Sequence, residues 1–350
     1  MALLERPVEY PSQSAPTETI RTVELDGYGP SERLSVRRAA KPVIGDDDLL
    51  VRVAAAALNP LDWQLTTGQP YVGRLQHGLR RPKITGIGID LAGTVEAVGR
   101  NVTQFAPDDE VFGCVESDPS GHPGSGSCAE YALVTADHVA RMPKKVSFRT
   151  AAAACTSGLI ALQGLRDQGR LRAGHRVLVN GACGGVGTFA VQIAKAFGCD
   201  VSAVCRAPNI ELVRSLGADD VIDDNHDDFT FGGRHYDVIL DNLGNRSLAE
   251  CRNIMHRDSV YVAAFRRPDH RWTGPTAQLL KMYAVRPFVS QEMLTWIAKP
   301  NTVDLEYLAE LLESRKMKSV IDRTYPLCDI GLAMRHLESG SARGKIVITL

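Results

Sequence analysis

The apolar positions of the chain change their period near Pro143. From Ile20 to Pro143 they fall in short β-like runs punctuated by glycine, at Leu49–Ala57, Asp90–Val98, Glu110–Phe112 and Ala129–Thr135, which predicts an irregular β domain. Beyond Pro143 strand-like and helix-like segments alternate: strand Arg176–Val179, helix Val186–Phe197, strand Val201–Cys205, helix Ile210–Leu216, strand Asp237–Leu240, helix Leu248–Met255 and strand Ser259–Ala264. That alternation predicts a doubly wound parallel sheet. The apolar stretch Ala151–Leu165 is interrupted by Cys155, Thr156, Ser157 and Gly158 and is too short to span a bilayer, so it reads as a buried helix. Val303–Ser314 and Ile330–Leu337 have helical apolar spacing, and Lys345–Leu350 reads as a final strand expected to return to the first domain. Residues 1–19 carry no period and are expected to form a loose arm.

A length of 350 residues fits two domains, and 44% hydrophobic with 23% charged residues is an ordinary globular mixture. Forty basic against forty-one acidic residues leave no whole-molecule field for nucleic acid or an anionic membrane, so neither is expected as a partner. The eight cysteines stand singly, without C-x-x-C spacing, which argues against a modular zinc site and against a disulfide framework. Met1–Pro11 has neither a basic nor an apolar leader region, and with the cysteines this predicts a reducing cytoplasm.

The strongest local signal is Val177–Lys195, where an apolar strand runs into Gly181-x-x-Gly184-x-x-Gly187 and then into an amphipathic helix. Glycines permit a tight strand-to-helix turn and let backbone N–H groups approach a pyrophosphate, whose charge the helix N-terminus favours. Gly181, Gly184, Gly185, Val186 and Gly187 are therefore candidate nucleotide contacts; a βα turn without ligand is the competing reading. An NAD site would place a carboxylate about 20 residues further on, at the end of the next strand. Here the chain reads Cys205-Arg206-Ala207-Pro208-Asn209. Arg206 fits a 2′-phosphate, which favours NADPH over NADH, although a solvated arginine is the bland alternative and Asp223 and Asp224 would repel that phosphate.

These residues resemble the medium-chain dehydrogenase/reductase superfamily, specifically its zinc-free quinone oxidoreductase and enoyl reductase branch. The resemblance extends from about Arg21 to the C-terminus. It rests on Ala57–Trp63 (ALNPLDW), Gly88–Gly99, Asp109–Gly113, Ala129–Tyr131, the glycine loop, Ser215–Asp219, Tyr236–Asn242 and Ile321–Leu327. It implies a GroES-like β-barrel catalytic domain (residues 20–144 and 316–350) and a Rossmann cofactor domain (145–315). Zinc-dependent relatives carry Gly-His-Glu where this chain has Gly88-Ile89-Asp90, and a ligating cysteine near Asn59. Isoleucine has no lone pair for a metal.

Without a metal, a simple ketone is a hard substrate, because its reduction creates a localised alkoxide. An enone, an enoyl thioester or a quinone spreads the charge, and a few hydrogen-bond donors suffice. The resemblance places Asn59 and Asp62 beside the nicotinamide or substrate and Trp63 on the pocket wall; a turn at Asn59-Pro60 and a helix N-terminus at Asp62 are the structural alternatives. Gln64 replaces a tyrosine or lysine of several relatives, and Tyr71 is the nearby alternative donor, or else a packing residue. Ile160 stands where relatives contact the nicotinamide with threonine. Asn242, Ala264 and Phe265 are expected at the cofactor, together with Cys205, Asn209 and Lys345, a solvated turn lysine being the alternative for the last. Arg266, Arg267, His270 and Arg271 form a basic run that fits an acidic substrate or merely faces solvent. The segment up to Pro300 is expected to supply a pocket lid and an edge strand for a homodimer. The competing function is an NADPH-binding sensor or assembly protein with little catalysis; a zinc alcohol dehydrogenase is disfavoured by Ile89.

Overall fold

The structure, a computed structural model, describes residues 18–115, 126–231, 233–264, 272 and 276–350. β1 (Thr19–Val23) and β2 (Val36–Ala40) form an antiparallel pair, and the segment expected to be a loose arm lies outside the described residues up to residue 17. β3 (Asp48–Leu58), α1 (Pro60–Thr67), α2 (Arg74–His77), β4 (Asp90–Val98), β5 (Glu110–Cys114), β6 (Tyr131–Thr135) and β7 (Val139–Arg141) follow, and α3 (Phe148–Gln163) leads away from them.

The alternating half comprises β8 (Arg176–Asn180), α4 (Gly185–Ala196), β9 (Asp200–Cys205), α5 (Ile210–Ser215), β10 (Asp220–Asp223), β11 (Tyr236–Asp241), α6 (Leu248–Arg252), β12 (Met255–Ala263), α7 (Thr276–Val285) and β13 (Glu292–Thr295). Its strands form a parallel sheet in the order β10-β9-β8-β11-β12-β13. The reversal of order between β8 and β11 opens a crevice at their carboxyl ends, where such sheets bind ligands. After α8 (Thr302–Glu313), β14 (Ile321–Pro326), α9 (Ile330–Ser339) and β15 (Lys345–Thr349) complete the chain. β15 pairs with β3 in the second sheet, ordered β14-β15-β3-β4-β5-β7 with β6 also on β3.

The helix expected over Leu248–Met255 is shorter. A capping box of Ser247 and Glu250 starts α6, yet Met255 already pairs with Tyr236 as strand. Cys251, Ile254 and Met255, whose spacing suggested helix, pack into one apolar cluster from a helix, a turn and a strand.

α3 joins the two halves. Ser147 caps its start, its hydroxyl accepting from Thr150 N at 3.2 Å. Ala151–Ala154 are fully buried, and their small side chains let α3 pack against β3, β4 and β5 as well as α4 and α8. One apolar cluster therefore runs from Ala57 and Phe112 through α3 to Val179, Val262 and Leu308, fixing the two sheets around a shared core.

Candidate functional site

α1 begins with a capping box in which Asn59 N donates to Asp62 Oδ2 at 2.7 Å. The other oxygen of Asp62 accepts from Gly88 N at 3.1 Å. Gly88 has φ +96°, and a Cβ there would meet Ser127 Oγ at 2.3 Å, so glycine is needed for this approach. Asp62 is fully buried, and burial pushes its carboxyl up to about 7 against the pull of the two backbone donors. The helix-start reading of Asp62 thus describes what its side chain does.

Asp90, at the start of β4, gathers a buried seam. Its Oδ1 accepts from Thr156 N at 3.0 Å and from the Thr156 hydroxyl; its Oδ2 accepts from Asn59 Nδ2 at 2.9 Å and Lys345 Nζ at 3.1 Å. Lys345 also donates to Asn59 Oδ1 at 2.6 Å. The side chains of Lys345 and Asp90 are only 2% and 0% exposed. Such a buried pair is tolerable only when its remaining hydrogen-bonding groups are matched, as they are here. Barrel, C-terminal strand and α3 are stitched together at this point. Sequence reading named Asn59 and Lys345 but considered Asp90 only as a lost metal-site position; the signal for it was an acid opening an apolar strand.

Above the seam lies a cavity of about 670 Å³, lined by Asn59, Gln64, Ile89, Thr156 and Ile160 from the barrel and α3, and by Ala263, Ala264 and Trp296 from the parallel sheet's carboxyl ends. Asp62 lies outside its wall. Tyr71 is not in its wall either: its ring packs edge-on against Trp272 at 5.1 Å with the Arg74 guanidinium over it. Phe265 and the basic run Arg266–Arg271 lie outside the described residues. The cavity also admits His138, a residue that sequence reading missed because its neighbours read only as a strand end.

The glycine loop closes the crevice of the parallel sheet. Gly181 has φ +79°, and a Cβ on Gly187 would sit 2.2 Å from Gly181 O, so both positions require glycine. The turn brings Gly184 to the N-terminus of α4, where Gly185, Val186 and Gly187 form the first turn. Gly344 N donates to Cys183 O at 2.9 Å, pinning the start of β15 to this loop. Around it, Ser157 Oγ, Asn209 Oδ1 and Asn242 Oδ1 are buried without partners among the described residues. Unmatched buried polar atoms beside a helix N-terminus fit a ligand with both phosphate and hydroxyl groups. Asn242 Nδ2 donates to Asn180 O at 2.9 Å, and the neighbouring Asp241 holds the loop by accepting from Leu243 N, Gly244 N and Tyr261 Oη.

Arg206 follows Cys205 at the end of β9, exposed and without an ion-pair partner among the described residues. Burial raises the Cys205 thiol to about 12, so it stays protonated at neutral pH. The two feared carboxylates are engaged: Asp223 accepts from Ala207 N and Asn225 N at 3.1 Å, and Asp224 faces Arg246 at 3.2 Å and Asn245 at 3.0 Å.

A nicotinamide nucleotide therefore fits these residues. A zinc ion does not: the ligand positions of zinc alcohol dehydrogenases hold Asn59 and Ile89 here, and Asn59 is bonded to an ammonium. The described residues contain no group of three or more His, Cys, Asp or Glu side chains able to hold a metal, and no helix among them is long and apolar enough to cross a membrane.

Comparison with known proteins agrees with this geometry. Residues 45–144 match the alcohol dehydrogenase GroES-like domain and residues 216–348 the zinc-binding dehydrogenase model. The chain is 31% identical to the mitochondrial NAD(P)H oxidoreductase of Homo sapiens, covering 97% of this chain and 91% of that protein. It is 31% identical to a trans-enoyl reductase of Aspergillus terreus over 88% and 87% of the two chains. The quinone oxidoreductase structure from Coxiella burnetii superposes with a TM-score of 0.81 at 26% identity, covering 95% of this chain and all of that one. The chain is an oxidoreductase with a GroES-like and a Rossmann-like domain, and it belongs to the medium-chain dehydrogenase/reductase superfamily, in the zinc-free quinone oxidoreductase and enoyl reductase branch.

Proposed function

We propose that the protein uses NADPH to reduce a conjugated acceptor, an enone, enoyl thioester or quinone, in the cavity between its two sheets. The observation that carries this reading is the contrast inside the cleft: an ammonium locked beneath the floor by Asn59 and Asp90, and an aliphatic Ile89 in the wall. Neither gives a localised alkoxide a partner, so an acceptor that delocalises its charge suits the site.

The first-turn N–H groups of α4 would hold the pyrophosphate, Arg206 the 2′-phosphate, and Asn209 and Asn242 the sugar hydroxyls. The bound nucleotide supplies hydride. Ile89, Leu159, Ile160 and Trp296 exclude water around the acceptor, and Gln64 shares the wall of the same cavity. Glutamine has no proton to give readily, so solvent completes the reduction. We also read β13, the outer strand of the parallel sheet, as a homodimer edge; Phe288 and Ile297 beside it are 86% and 88% exposed. The eight free cysteines suit a reducing compartment such as the cytoplasm.

Calorimetry with NADPH followed by anaerobic turnover against enones and quinones tests the assignment. The expected result is tight binding with NADPH oxidation by at least one acceptor class. Tight binding without turnover of any acceptor would make the protein a nucleotide sensor.

A further inference from the structure

His138 occupies the cavity for no reason that the seam or the glycine loop explains. Strand register places it: β4 and β5 pair Asp90 with Cys114, and β5 and β7 pair Gly113 with Val139. His138 thus stands beside Cys114, two strand spacings from Asp90, ~10 Å at ordinary sheet geometry. Its backbone is held. Thr302 Oγ1 lies 3.1 Å from Asp137 O and 3.0 Å from Val139 O, bracketing the residue from the first turn of α8. A Cβ on Gly113 would clash with His138 O at 2.2 Å, so the adjoining strand is also tightly apposed.

The ring, by contrast, is uncommitted. Nδ1 is buried with no hydrogen-bond partner, and His138 makes no other side-chain hydrogen bond or ion pair among the described residues. A proton on Nδ1 would be buried without an acceptor, so the ring carries it on Nε2. The side chain lines a cavity in which the hydroxyl of Thr156 and the amide of Asn59 are already engaged with Asp90. An imidazole N–H held on a rigid backbone and lacking any protein acceptor is what a substrate oxygen would use.

We propose that His138 is an electrophilic hydrogen-bond donor for the distal oxygen of a para-quinone, making quinones the preferred acceptor class. The inference rests on the reductase reading above and names its substrate. When hydride arrives at one end of a para-quinone, the electron pair moves through the ring and the negative charge emerges on the opposite oxygen. The Nε2–H of His138 stabilises that oxygen, and a solvent proton then forms the second O–H bond. Quinone, hydride and one proton give hydroquinone, while the nucleotide is oxidised. In a simple enone the charge emerges on a carbonyl oxygen closer to the carbon that takes the hydride, so a donor set for the far oxygen of a para-quinone serves it less.

The test compares wild type with His138→Leu and His138→Gln, on a para-quinone and an enone of similar size. Removing one donor aimed at developing charge costs ~100-fold or more in kcat, so His138→Leu should lose about that factor with the quinone and change little with the enone. His138→Gln, which keeps an N–H, should recover part of the loss. A readout independent of turnover is quinone binding without nucleotide, followed by quenching of tryptophan fluorescence, since Trp296 lines the same cavity; it should weaken in His138→Leu and not in His138→Gln. An unchanged quinone-to-enone ratio together with unchanged quinone binding would overturn the role. Should wild type oxidise NADPH with neither acceptor, the reductase reading fails by itself, and the binding comparison still decides for or against His138.

Discussion

Two polar regions flank the cleft, and they are built on opposite plans. The seam of Asn59, Asp62, Asp90, Thr156 and Lys345 is closed, all but the half-buried Thr156 being buried, with its donors and acceptors facing one another. The nucleotide side is open: Arg206 is exposed without a carboxylate, and Asn209, Asn242 and Ser157 keep buried polar atoms unmatched. Matched buried charge holds structure together, whereas unmatched polar groups are available to a ligand. Residues of the seam should therefore show themselves in stability, and residues of the open side in binding.

Breaking the seam should have the largest effect. Lys345→Met leaves Asp90 buried without its cation and should destabilise the fold by about 3–5 kcal/mol in denaturant unfolding. Adding Asp90→Asn removes the stranded charge and should return much of that loss. If Lys345→Met instead left stability intact and abolished only nucleotide binding, the lysine would belong to the open region.

On the open side, Arg206→Asp should weaken NADPH binding ~10–100-fold, the range for a lost hydrogen bond to a charged group, with little change for NADH. Calorimetry with both nucleotides reads the difference directly. Equal losses for both would deny Arg206 its phosphate.

A smaller effect separates the seam by pH. An unfolded Asp62 carboxyl loses its proton near 3.8, whereas the folded one keeps it to about 7. Between those values the folded state binds the extra proton, so this contribution is complete below about pH 4 and is lost as pH rises through 7. Asp62→Asn removes the ionisation, and its melting temperature should fall less than that of wild type across that window. Parallel melting curves would show that Asp62 ionises without cost. Smallest of all, Tyr71→Phe should leave turnover within about twofold, as a substitution away from buried networks and reacting groups usually does.

The same contrast explains what was legible in the sequence. The glycine loop could be read because its chemistry is local: strand, turn and helix follow one another within Val177–Lys195. The parallel sheet was readable for the same reason, through its alternating periods. The seam was not, because Asp90 meets Lys345 only after β15 returns to β3, and no local pattern records a contact across 255 residues. Sequence alone could set Asn59 and Lys345 only against substrate, cofactor, a turn or solvent, and the bond between them came to light in the fold. Arg246, which occupies Asp224, was missed likewise, since the two meet through the β10 and β11 loops. His138 escaped for a different reason: a histidine after a short strand carries no period, and only the cavity gives it meaning.

The most direct measurement of the central claim is kcat/KM for a conjugated acceptor against its saturated ketone counterpart, with NADPH, before and after treatment with a strong chelator. The account predicts turnover of the conjugated acceptor that survives chelation and no turnover of the ketone. Ketone reduction lost on chelation and restored by zinc would contradict it.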